Sequence, residues 1–74
     1  MAKRQTRYYL PEQIHEILPQ LIGQKATVIL HNGLVFYLYL HQLKNGNLLA
    51  MDMRKIRHQF AQAQISEIIV EKEL

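Results

Sequence analysis

The dipeptide Asn32-Gly33 separates two runs, "TVILH" and "LVFYLYL", both rich in β-branched, aromatic and leucine residues. Asn-Gly supplies the positive φ angles that a two-residue hairpin turn needs, so this stretch commits the chain to a β-hairpin. If alternate residues of the second run point inward, Leu34, Phe36, Leu38 and Leu40 fill a core. Val35, Tyr37, Tyr39 and His41 then lie on the opposite face of the same strand. That second face is apolar too, which a small protein has to explain.

Period two continues beyond the hairpin. The runs predict strands over about 25–31, 34–42, 47–53, 56–62 and 65–72, with "KNGN" (Lys44 to Asn47) as a second turn and a bend near Arg54-Lys55. Before them, "LPEQIHEILPQLIG" places Ile14, Ile17, Leu18, Leu21 and Ile22 at spacings of three and four, one stripe of a helix over about 11–22. Pro11 suits the first helical turn and Gly23 the position just past the end. Pro19 removes a backbone donor and crowds the carbonyl of His15, which predicts a kink or a short second turn starting there. The stripe is expected to cover one opening of the β core. Residues 1–9 read as a flexible basic arm whose Tyr8 and Tyr9 are available for docking, and residues 10–74 as one domain. A helix followed by five short antiparallel strands predicts a mainly β fold, a small, strongly bent five-stranded barrel.

Seventy-four residues bury only about 60% of their unfolded surface, so a chain this short needs support. It has no cysteine, which excludes disulfides and thiolate metal sites. His15, His31, His41 and His58 are scattered singly, without zinc-ligand spacing, so no metal or other cofactor is expected. Elimination leaves self-association. No apolar run approaches the roughly 18–20 residues of a membrane span, and no apolar signal segment follows the basic N-terminus. A cytoplasmic protein without membrane contact is the expectation. Catalysis finds no foothold: there is no Gly-x-Ser-x-Gly elbow or phosphate-cradling glycine loop, Ser66 is the only serine, and paired carboxylates occur only at Glu71 and Glu73. An enzyme is not expected.

The order of helix, Asn-Gly hairpin and five strands resembles the Sm-like family, and within it the Hfq branch of bacterial RNA chaperones. "ATVILHNGLVFYLYL" is similar to the family segment in which Val-Thr-Ile and Asn-Gly hold the same relative positions, and the likeness resumes at "QISEIIV". It covers about residues 11–72. The resemblance implies a cyclic homo-oligomer of six or seven subunits, in which the fourth strand of the five pairs with the fifth of a neighbour. It also implies RNA as a ligand, with the family's uridine pocket largely lost. The glycine at which the family's second strand bends corresponds to Leu38, the acidic residue of its first motif to Lys44, its base-stacking aromatic residue to Gly46 and its asparagine to Leu48 or, with a one-residue slip, to Asn47. The Tyr-Lys-His triplet of the pocket corresponds to Ala61, Gln62 and Ala63, of which only Gln62 can hydrogen-bond.

Two basic clusters are the candidates for meeting phosphates. Lys3, Arg4 and Arg7 all precede the first acid and account for the formal net charge of +3. Arg54, Lys55, Arg57 and His58 lie at the predicted bend, and Gln62 completes the set. The bland alternative is solvated turn chemistry, with Arg57 paired to Glu67 or Glu71 of a neighbouring subunit. Val35, Tyr37 and Tyr39 have three open readings. Their rings stack on bases, or the row is an interface between rings or with a protein, or Tyr8, Tyr9 or C-terminal residues fold over it. Asp52, flanked by Met51 and Met53, needs a partner if it points inward. An intersubunit base would supply one, and an outward position would remove the need. His41 and His58 read either as pH-sensitive contacts or as ordinary packing and surface histidines. Two functions compete: a ring that binds RNA or other single-stranded nucleic acid, and a ring-shaped interaction or scaffold module that binds none.

Overall fold

The computed structural model describes residues 3–73. In chain order these form β1 (Lys3–Tyr8), α1 (Pro11–Leu21), β2 (Lys25–Leu30), β3 (Val35–Lys44), β4 (Asn47–Asp52), β5 (Arg57–Ala61), a 3-10 turn (Gln62–Gln64) and β6 (Ile65–Glu73). The strands make one antiparallel sheet in the order β1-β6-β2-β3-β4-β5. The fold is mainly β with a single helix near its N-terminus. Among the described residues no ladder joins β5 to β1 or β6, so the sheet keeps two open edges.

The first six described residues depart from expectation. They are not a free arm: Lys3–Tyr8 pair with β6 from Lys3↔Glu73 to Tyr8↔Ile68. "KRQTRY" lacks apolar alternation, so its sequence does not mark it as a strand. The bare edge of β6 recruits it, because unpaired backbone groups template any extended segment beside them. Residues 1 and 2 of the expected arm lie outside the described residues.

Helix α1 has Pro11 in its first turn and buries Ile14, Leu18 and Leu21. It runs unbroken past Pro19 to Leu21, rather than restarting there. Pro19 and His15 are both exposed, so the carbonyl that Pro19 deprives of a donor faces water. Gly23, at φ +89°, ends the helix and donates its N–H to the Leu40 carbonyl at 2.7 Å, which seats the helix end on β3.

The two Asn-Gly turns differ. At Asn45-Gly46 both residues have positive φ (52° and 78°) and Lys44 faces Asn47, the two-residue hairpin expected of the dipeptide. At Asn32-Gly33 only Gly33 is positive, and Leu30 N–H donates to the Leu34 carbonyl at 2.9 Å across a three-residue loop. The Asn32 side chain accepts from Leu34 N–H at 3.0 Å. Leu34 is therefore a loop residue 54% exposed, not the core residue that alternation predicted.

The remaining pattern holds. Ala26, Val28, Leu30, Leu38, Leu40, Leu48, Ala50, Phe60, Ile68 and Val70 line the inner face beneath the helix. Leu38, where the resemblance expects glycine, is fully buried. The pairing of β3 with β4 shifts register between Leu40 and Gln42, so a bulge at His41 supplies local curvature without a glycine. No helix among the described residues is long and apolar enough to cross a membrane.

Candidate nucleic-acid interface

The turn between β4 and β5 is built around Asp52. Its Oδ1 accepts the N–H of Arg54 at 2.8 Å and of Ile56 at 3.0 Å, and its Oδ2 meets His58 Nε2 at 2.9 Å. The His58 hydrogen bond, followed by that of Ile56, holds the Asp52 pKa below its ordinary value of 3.8. Asp52 thus finds its basic partner within its own chain, not on a neighbouring subunit. His58 is half-buried against Phe36 (ring centroids 5.1 Å apart) and parallel to Phe60. This arrangement fixes the turn while consuming its one carboxylate.

Lys55 adopts φ +66°, a left-handed conformation that side chains other than glycine rarely take. Its N–H returns to the Asp52 carbonyl at 3.0 Å, so the tight turn imposes the strain. Arg54, Lys55 and Arg57 are all exposed, and no acid lies within ion-pair distance of them among the described residues. Three cations without an ion-pair partner, on a turn whose one carboxylate is Asp52, make a net-positive surface that attracts phosphate.

Strand alternation puts Arg57 on the outer face, opposite His58. Its partner in register is Met51, whose own partner is Tyr39. Arg57 therefore stands in one cross-strand row with Tyr39, which the sequence had left apart from it. Beside this row lies an open groove of about 510 Å³ with Leu49 and Met51 among its lining and with His41, Gln42, Arg57 and Gln59 as polar groups. Apolar floor, amide groups and a guanidinium are the elements that hold a nucleobase and its phosphate. Gln42, Leu49, Met51 and Gln59 escaped notice as site residues, and for Gln42 the reason is the bulge at His41, which has no sequence mark. The alternation of β4 and β5 alone would have put Leu49, Met51, Arg57 and Gln59 on a common face.

Other expected site residues are engaged elsewhere. Arg7 Nε donates to Glu67 Oε1 at 3.0 Å, so Glu67 is paired within the chain instead of with a neighbour's Arg57. Arg4 is exposed on β1, at the end of the sheet away from Arg57, and Lys3 belongs to β1 although its side chain lies outside what is described. Gln62 Nε2 lies 3.0 Å from His15 Nδ1, tying the 3-10 turn to the helix. His58 is turned inward. The expected set of eight therefore reduces to one group, Arg54, Lys55 and Arg57, with Arg4 on the opposite edge strand.

Val35, Tyr37 and Tyr39 are 61%, 53% and 40% exposed. Tyr8 packs against the core and Tyr9 is itself exposed, so neither covers the row. C-terminal Leu74 lies outside the described residues. Among the described residues no three His, Asp or Glu side chains cluster as metal ligands would. No family model, curated protein or solved structure matches the chain.

Proposed function

We propose that this chain is an Sm-like, Hfq-like ring-forming protein that binds RNA or other single-stranded nucleic acid through the β4–β5 turn. In this reading the strands after the helix, β2 to β6, curve into the small bent barrel of that family. Copies join by pairing β5 of one with β6 of the next, as the family's fourth and fifth strands do, into a ring of six or seven. The observation that carries the reading is the exposed group of Arg54, Lys55 and Arg57, with no ion-pair partner among the described residues, beside the groove lined by Leu49, Met51, Gln42 and Gln59. Phosphates meet the turn, and a base enters the groove. Ring symmetry repeats a weak site several times, which raises avidity without new contacts. In this reading the family's uridine pocket is largely lost, since Ala61 and Ala63 offer no side-chain hydrogen bond and the Gln62 amide nitrogen lies 3.0 Å from His15 Nδ1.

Fluorescence anisotropy with short oligo-A and oligo-U tests this. Affinity should fall with salt at a slope of about −2 on logarithmic axes if three phosphates are met per subunit. The triple variant Arg54→Ala, Lys55→Ala, Arg57→Ala should bind at least about tenfold more weakly. Unchanged affinity of that variant for both oligomers would refute the site.

The exposure of Val35, Tyr37 and Tyr39 favours a second reading, a ring-shaped interaction or scaffold module with no nucleic-acid role. There the row packs ring against ring or holds a protein. Light scattering separates this reading. Tyr37→Glu should halve the mass of a stacked double ring, and a mass indifferent to the change would exclude stacking through this row.

A further inference from the structure

Strand β6 has neighbours on both sides. β2 pairs with its Ile65–Ile69 portion, and β1 pairs on the other edge from Ile68 to Glu73. β1 is held by its ladder to β6 and by little apolar burial. Arg4, Gln5 and Arg7 are exposed, Thr6 is half-buried, and Tyr8 is the one β1 side chain packed on the core. Its substantial contacts are with β6 alone. Its ion pair, Arg7–Glu67, is exposed on the arginine side, where screening leaves such pairs weak. A strand held by edge hydrogen bonds and little apolar burial opens well below the free energy of global unfolding.

The edge beneath it has a chemical character. Glu67 and Glu71 alternate with the buried Ile68 and Val70, so β6 turns its acids outward. β1 meets Glu67 with Arg7, while Gln5 stands opposite Glu71 and Arg4 opposite Lys72. At the far end of the sheet, β5 is the other open edge, and "RHQFA" brings Arg57 and no acid. Two basic strands therefore suit one acidic edge, which holds only one of them at a time.

We infer that β1 is a cap on the β6 edge, which in the ring reading receives β5 of a second copy, and that this cap leaves when copies join. This rests on the ring reading above and adds the step that controls it. Within one chain the Arg7–Glu67 pair closes the edge. When β1 leaves, the neighbour's Arg57 takes over a Glu67 or Glu71 contact, and ladder hydrogen bonds replace ladder hydrogen bonds. The exchange is head to tail, since each copy gives β5 and receives at β6, so it propagates until the ring closes.

Sedimentation velocity over a concentration series tests the exchange on the full chain, a chain lacking residues 1–7 that keeps the core-packed Tyr8, and full-length Arg7→Glu. Circular dichroism checks each fold. Both variants should reach half-assembly at a concentration at least about tenfold lower than the full chain. Adding Arg57→Glu to the shortened chain should raise that concentration again, by placing like charge against Glu67 and Glu71. Equal midpoints for all three chains, with rings formed, would overturn the cap and leave the ring reading standing. No assembly by any of them would overturn both. If the shortened chain fails to fold, Arg7→Glu alone decides.

Discussion

Asp52 and His58 meet at 2.9 Å across the turn that joins β4 to β5, six residues apart in the chain. The same carboxylate binds two backbone N–H groups of that turn, so one side chain sets both its shape and its charge balance. The acid is spent internally, and Arg54, Lys55 and Arg57 face outward without a counter-ion among the described residues.

Asp52→Asn should lower the Tm near neutral pH and shrink the acid limb of the stability curve. The folded pKa of Asp52 lies below 3.8, so its ionised form is favoured by folding. Its contribution is complete above the unfolded value and disappears as pH falls through the folded one. Thermal melts of the two proteins should therefore differ at pH 7 and converge as the pH drops below 3.8. Melts that stay equally separated at every pH would remove this role.

Lys55→Gly should separate stability from binding. Glycine takes φ +66° without the Cβ conflict that costs other residues about 1–2 kcal/mol, a gain partly offset by chain entropy. Denaturant melts should show a chain as stable as the parent or more so, by up to about 1 kcal/mol. Oligonucleotide affinity should fall, because a cation is lost. A variant that both melts earlier and binds as well as the parent would contradict the assignment of strain and charge to this turn.

Leu38→Gly asks where the sheet takes its curvature. If the bulge at His41 carries it, glycine at 38 relieves nothing and leaves a cavity in place of a fully buried leucine. The loss should be about 3–5 kcal/mol by denaturant titration. A domain this size has about 5–10 kcal/mol to lose, so the variant should be close to unfolding. A neutral or stabilising effect would place the strain at residue 38.

Helix α1 and strands β2 to β6 were legible because burial on one face imposes a period, and the period is written in residue types. The helix from Pro11 to Leu21 and the strand starting at Asn47 show this most directly. β1 was not legible, since a strand recruited by a bare edge needs no apolar alternation. The bulge at His41 was equally hidden, because a register shift depends on what two strands do together. At the site, Arg54, Lys55 and Arg57 could be named from charge alone. The engagement of Arg7, His58 and Gln62 by Glu67, Asp52 and His15 depends on contacts that residue types do not announce.

The most direct test of the whole account is the solution mass of the protein at low and high salt, with and without a short A-rich RNA. At low salt the protein should run as a particle of six or seven 8.8 kDa chains that gains the mass of the RNA and releases it as salt rises. A single-chain mass that ignores both RNA and salt would contradict it.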